Sequence, residues 1–136
     1  MVEFSTVDID GEICLFQYSN ETNELSDEVT FKVYSIPLNR LLWFSYRVKI
    51  LDVTLAKSEQ LTINGNTEFA KKGIPEKIIQ IDSHELKTHI KSSSISFQQG
   101  DYLIPSACKA WKRLVIQSEN AVLDLENNCF FYKRIL

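Results

Sequence analysis

The chain has 136 residues, 44% of them hydrophobic and 24% charged, with a net charge of −3. That length supports a single domain, 1–136, whose core needs no metal or disulfide staple, and the ordinary composition excludes a disordered tail or a fibrous repeat. The longest apolar run, Leu41 to Phe44, is far short of a bilayer span, and the N-terminus lacks a basic region followed by an apolar segment, so a soluble cytoplasmic protein without a membrane partner is expected.

Val7-Asp8-Ile9-Asp10-Gly11-Glu12-Ile13 sets an Asp-Gly pair between two alternating runs, a strong hairpin signal. The second strand runs from Ile13 to Tyr18, with Cys14, Phe16 and Tyr18 sharing a face. Ser19 to Asp27 is polar and aperiodic and reads as a surface loop. Val29 to Ser35 alternates again, Val29, Phe31 and Val33 inward, Thr30, Lys32 and Tyr34 outward. Pro37 makes Ile36 to Arg40 a turn or crossing. Leu42 to Leu55 reads as one long strand that bends or bulges, with Leu42, Phe44, Tyr46, Val48 and Ile50 on one face. Leu61 to Ile63 is a short run before the Asn64-Gly65 turn signal and is expected to form a separate edge strand.

Pro75 suits the first turn of a helix and Glu76 complements its positive start. That helix runs from Pro75 to about Asp82 with Ile74, Ile78 and Ile81 toward the core, and either restarts at Asp82-Ser-His-Glu85, which resembles a capping box, or continues to about His89. Ile90 to Phe97 reads as a strand ended by Gln98-Gln99-Gly100-Asp101. The clearest element is the next helix, where Ala107, Ala110, Trp111, Leu114, Val115 and Ser118 form one stripe and Lys109, Lys112 and Arg113 lie opposite. Ala121 to Leu125 and Cys129 to Ile135 form a closing hairpin. The expected fold is α+β: a twisted, mainly antiparallel sheet of six or seven strands carrying two main helices.

The charge is unevenly spread. Residues 1 to 28 hold eight acids and no Lys or Arg, while the remainder holds 15 basic groups against 10 acids. An acidic edge and an anion site in the basic part both fit that asymmetry. Cys14, Cys108 and Cys129 are widely spaced and odd in number, as expected of reduced, largely buried thiols. His84 and His89 are five apart, on different helix faces, and nothing completes a zinc set, so no metal is expected. No Gly-x-Ser-x-Gly elbow, Walker loop or Gly-x-Gly-x-x-Gly occurs. Ser92-Ser93-Ser94 reads as a polar strand end, and Asp8 and Asp10 as turn residues.

Lys71-Lys72-Gly73-Ile74-Pro75-Glu76-Lys77-Ile78-Ile79 after the strands, then Ile90-Lys91-Ser92-Ser93, then Ala107 to Leu114, then a hairpin, resembles the C-terminal half of the GNAT superfamily of N-acetyltransferases. In that family a Q/R-x-x-G-x-G/A loop opens a helix whose backbone N–H groups hold the pyrophosphate of acetyl-coenzyme A, the ordinary anion site of a helix N-terminus. Ala70, Gly73 and Pro75 would occupy the three motif positions; only Gly73 matches, and Pro75 removes a donor. The family's two helices between its first two strands find no room in Ser19 to Glu28. The resemblance implies acyl-coenzyme A, or another phosphorylated ligand, at Lys71, Lys72, Gly73 and Ile74, and it carries over no acid or base.

Two other readings compete. One is a partner-binding or homo-oligomeric module built on Leu41-Leu-Trp-Phe-Ser-Tyr46, whose apolar residues occupy both strand faces. The other makes Ile104 to Ser118 a recognition helix and the last hairpin a wing, with Lys109, Lys112, Arg113, Lys133 and Arg134 on nucleic-acid backbone. The strand-rich first half weighs against nucleic acid as a partner.

Overall fold

A computed structural model describes residues 1–64, 66–96 and 101–135, and the side chains of all of these except 66 and 67. Gly65 of the expected turn and Phe97 to Gly100 at the expected strand end lie outside the described residues. The strands are β1 Val2–Val7, β2 Ile13–Asn23, β3 Glu28–Ser35, β4 Trp43–Ile50, β5 Leu55–Asn64, β6 His89–Lys91, β7 Ala121–Asp124 and β8 Cys129–Tyr132. The single turn α1, Asn66–Phe69, and helix α2, Ile74–Leu86, lie between β5 and β6; α3, Pro105–Gln117, lies between β6 and β7. All eight strands join one sheet in the order β1-β2-β3-β4-β5-β6-β8-β7. Among the described residues only the β5–β6 pair is parallel, and α2 is the crossover that a parallel pair requires. The α+β expectation stands, with eight described strands in place of six or seven.

The first hairpin forms where the Asp10-Gly11 pair predicts it. Asp8 Oδ1 accepts from the backbone N–H of Asp10 and Glu12, both at 2.9 Å, and Gly11 takes φ 82°, so side-chain and backbone chemistry agree on the turn. Three expectations change. β2 runs on through Asn23, pairing Ser19 with Lys32 and Asn23 with Glu28; both faces there are largely solvated, so the ladder leaves no hydrophobic alternation to read. The long strand expected over Leu42 to Leu55 ends at Ile50, because Asp52 Oδ1 accepts from Thr54 N at 2.7 Å and Thr54 Oγ1 at 2.9 Å and reverses the chain without Gly or Pro. Leu61 to Ile63 then form no separate strand but continue β5, opposite Tyr46 to Phe44, beyond the three residues Leu55 to Lys57 that β6 pairs. In that ladder Arg47 faces Gln60 and Val48 faces Ser58, leaving Glu59 as a bulge.

Further along, α2 is continuous to Leu86 and ends at Lys87, φ 56°, with Thr88 N also turned back to Ser83 O. Asp82 does not cap a second helix; its carboxylate goes to the sheet. Ile79 is fully buried along with Ile74 and Ile78, whereas Ile81 is only half-buried. β6 is three residues long, against the eight expected. The serines after it leave the ladder to satisfy neighbouring chain: Ser92 Oγ donates to Ser93 O and accepts from Phe130 N, and Ser94 Oγ donates to Asp101 Oδ2 at 2.7 Å. Lys57 Nζ reaches the other Asp101 oxygen at 2.8 Å. Burial opposes ionisation of Asp101, but Lys57 and Ser94 outweigh it and bring the carboxyl down to about 2.

The core lies between the sheet and the two helices. Phe31 of β3 is flanked by Tyr18 and Tyr46 at ring separations of 6.0 and 6.1 Å. On α3 the predicted stripe is the buried one, and Trp111 stacks on Phe130 at 5.9 Å; losing such a side chain typically costs about 3–5 kcal/mol. Tyr34, read as outward, is buried on the opposite sheet face beneath Arg40, 5.9 Å from its ring. β4 is interior, Phe44 and Tyr46 being buried and Leu41, before it, exposed.

The sheet curls enough to bring its β1 edge to the start of α2. Ile9 N donates to Lys71 O at 3.2 Å, Phe16 meets Phe69 at 6.0 Å, and a Cβ on Gly73 would lie 2.6 Å from Val7 O. Glycine is required there on two counts, close approach and φ 77°.

Candidate functional site

The curl leaves a cavity of about 380 Å³ where β5, the start of α2 and α3 meet the end of β1. Its apolar wall comes from Val7 at the end of β1 and Ile9 after it, Phe44, Leu61 and Ile63 from β4 and β5, and Phe69 from α1. The charged part is Lys71 and Arg113 with Glu76 and Asp8. A second cavity, about 530 Å³, lies on the other side of Gly73 and shares Val7, Asp8, Gly73, Glu76 and Gln117 with the first. Its remaining lining is mostly polar: Ser5, Thr6, Lys77 and Gln80 beside Ile13.

Glu76 lines both cavities. It is only 2% exposed, and Arg113 Nε donates to its Oε1 at 2.7 Å. This charge-assisted bond ties α3 to the first turn of α2. The Arg113 side chain is 52% exposed, so the guanidinium reaches solvent and cavity as well as its partner. A negative side chain at this point also suits the positive end of the helix. Pro75 supplies no N–H, so the first turn offers one donor fewer to an anion than an ordinary helix start, and cationic side chains must supply much of the attraction. Nearby Asp8 is more acidic than usual because the Glu12 N–H bonds its carboxylate, with the Lys72 charge adding to the effect. Thr6 is 5% exposed, and its Oγ1 has no hydrogen-bond partner; it stands on the wall of the second cavity, where its Cβ would be 3.7 Å from one placed on Gly73.

Of the residues predicted from sequence, Lys71 and Gly73 line the first cavity, Lys71 exposed and at φ 58°. Ala70 and Pro75, the other two motif positions, line it too. Lys72 is half-buried and lines neither cavity. The Ile74 side chain is fully buried in the core, so any role it has toward a ligand falls to its backbone. Sequence reasoning did not place Arg113 at this site, naming it only as a nucleic-acid backbone contact, and read Glu76 only as a charge at the helix start. Arg113 is tied to Glu76 while Lys109 and Lys112 are exposed, and the β7–β8 hairpin is joined to the sheet. His84 is exposed, and His89 Nδ1 accepts from Arg134 N at 2.9 Å. Among the described residues no group of three or more His, Cys, Asp or Glu comes together in a way that could hold a metal ion, and no helix is long and apolar enough to cross a membrane. Cys14, Cys108 and Cys129 are free thiols.

No known family model matches the chain, and no curated protein matches it.

Proposed function

We propose that the chain is a divergent acetyltransferase-like domain that binds an acyl-coenzyme A, or a related phosphorylated ligand, in the cavity at the start of α2. The observation that carries this reading is the cavity itself: an apolar chamber of about 380 Å³ edged by Lys71, Gly73 and Arg113. A chamber of that size and lining suits an amphiphilic ligand, with its apolar part enclosed and its anionic part held by the cations. The order of elements supports it further. β5, the Gly73 turn, α2, β6, α3 and the terminal hairpin follow one another as in the C-terminal half of the GNAT superfamily. The chain departs from that pattern in joining β1 to β2 through residues 8–12 alone and in placing Glu76 at the helix start.

A thermal-shift titration with acetyl-coenzyme A, coenzyme A and inorganic phosphate tests the reading. At a hundredfold excess over the dissociation constant, stabilisation of about 2.7 kcal/mol is expected from coenzyme A, with a much smaller response to phosphate. Lys71→Glu is the informative variant: the side chain is exposed, so reversing its charge leaves the core intact and is expected to weaken binding at least tenfold. Gly73 is a poor choice, because any side chain there strains the backbone and meets Val7 O. No coenzyme-dependent shift in the wild type would rule the reading out.

A second reading, self-association without chemistry, is favoured by one observation. Val7 and Ile13 form a cross-strand pair, and with Leu15 they are all more than half exposed on the two strands at one edge of the sheet. Sedimentation at rising concentration checks it; a constant monomer mass would count against it.

A further inference from the structure

We infer that the sheet face turned away from the helices binds single-stranded nucleic acid along a row of cations that ends in an aromatic plate. The strand-rich architecture that argues against a recognition helix is what builds this surface, and the cavity takes no part in it. Val48, Ala56 and Ile90 are buried in the core on β4, β5 and β6, so the alternation of side chains places Lys49, Lys57 and Lys91 on the opposite face. The register makes them consecutive neighbours: Lys49 lies opposite Lys57, Lys57 opposite Lys91, and Lys91 opposite Phe131 of β8. Neighbouring strands are about 4.8 Å apart, so the three lysines fill a strip about 10 Å long with a phenylalanine at its end.

Like charges set opposite one another weaken a sheet. β4, β5 and β6 are interior strands, so the use of lysine to protect an edge does not explain the row. Nor do nearby acids cancel it. Asp101 takes Lys57 at 2.8 Å and Glu28 takes Arg47 at 3.4 Å, and Glu59 is exposed in the bulge. Among the described residues no carboxylate lies within 4.0 Å of the Lys49 or Lys91 ammonium. Both cations are open to an anion, on a chain whose net charge is −3.

The rings select the anion. Phe131 is half-buried beside His89, at a ring separation of 5.4 Å. Further along the same face Trp43, half-buried, lies under Lys32 at 5.5 Å. Rings beside cations on an open sheet give bases a stacking surface and the backbone its countercharge, the combination that single-stranded sites use. An acidic peptide would use the lysines and leave the rings idle.

The test is fluorescence anisotropy of labelled single-stranded oligo(dT) and oligo(U), about fifteen nucleotides long, titrated with the full chain. Micromolar binding at about 50 mM salt is expected, falling roughly twentyfold by about 200 mM with about three phosphates neutralised. Lys49→Gln with Lys91→Gln should cut that fall to about threefold and, by relieving the like charges, melt no lower than the wild type. Phe131→Leu should weaken binding about tenfold with the salt dependence unchanged. Lys109→Gln with Lys112→Gln, both exposed on α3, should bind as the wild type does. Binding lost in the α3 pair and kept in the sheet pair would overturn the assignment of the face. Polyglutamate competing as well as the oligonucleotide, charge for charge, would overturn nucleic acid as the occupant. No binding of either oligonucleotide at low salt, by protein that melts cooperatively, would end the proposal.

Discussion

Glu76 and Asp82 lie six residues apart on α2, and both are almost wholly buried, at 2% and 0% exposure. Their partners differ in kind. Glu76 faces a guanidinium, Arg113, which itself reaches solvent. Asp82 faces a neutral phenol, the Tyr46 hydroxyl donating to its Oδ2 at 2.7 Å, and its Oδ1 has no partner. A guanidinium can offset a buried negative charge; a hydroxyl offers only a dipole. Burial therefore dominates at Asp82 and raises its carboxyl to about 7 despite the Tyr46 bond. The same helix thus carries a charged pair where it opens on the cavities and a proton-holding acid where it lies on the sheet. Buried carboxyls must be read from what they meet, because depth of burial is the same for both.

The sharpest way to break the comparison is to change pH, since only one of the two acids lacks a countercharge. Asp82 has a folded-state value of about 7 against 3.8 in the unfolded chain. Below about pH 4 both states are protonated and the group has no effect. Between pH 4 and 7 the unfolded chain ionises while the folded one does not, so stability falls, and above 7 the loss is complete. The loss across that window is on the order of 4 kcal/mol. Asp82→Asn keeps an acceptor for Tyr46 and removes the ionisation. It is expected to flatten the stability profile between pH 4 and 8 in urea unfolding; a wild-type profile already flat there would dissolve the contrast.

Arg113→Ala attacks the other side. It strips the cation from a carboxylate that remains buried, and the expected loss is about 2 kcal/mol, below the range for a fully buried pair because half of Arg113 is screened by solvent. Adding Glu76→Gln should recover at least half of it, since a neutral amide needs no cation. A double-mutant cycle that returned no coupling would mean that Glu76 does not depend on Arg113.

How much of this was legible in the sequence follows from the range of each interaction. The first hairpin rests on Asp8 and Gly11 within a few residues of each other, and the α3 stripe on its own periodicity, so both could be read locally. β2 beyond Tyr18 could not, because Asn20 to Asn23 are held by backbone pairing with β3 and show no buried face. The β4–β5 reversal had a faint signal, Asp52 with Thr54 two residues on, and no Gly or Pro to announce it. At the candidate site, Lys71 and Gly73 stood out as a basic pair and glycine before a helix. Arg113 did not, since its partner is 37 residues away, and Val7 and Ile9 join the cavity only because the sheet curls across several strands. Whether Asp82 caps a second helix or lies inside a continuous one stayed open for the same reason: its partner Tyr46 lies 36 residues upstream on another element.

The smallest expected effects separate burial from bonding, because α2 makes two similar hydrogen bonds to the sheet. Tyr18 donates to Glu85 Oε1 at 2.8 Å, as Tyr46 does to Asp82, yet Glu85 is exposed. Water can replace the Tyr18 hydroxyl at an exposed carboxylate, so Tyr18→Phe should cost about 0.5–1 kcal/mol, nearly the same at pH 5 and pH 8. No water is at hand for a carboxyl with 0% exposure. Tyr46→Phe should therefore cost about 1 kcal/mol at pH 5, where Asp82 is protonated and neutral, and somewhat more but under about 2 kcal/mol at pH 8, where the carboxyl that has lost its donor takes up a proton again. The two phenylalanine variants, compared by urea unfolding at both pH values, form a control pair with the same atom removed from the same kind of bond. If their costs moved together with pH, Asp82 would have to be hydrated in solution, and its contrast with Glu76 would reduce to a difference in partner charge alone.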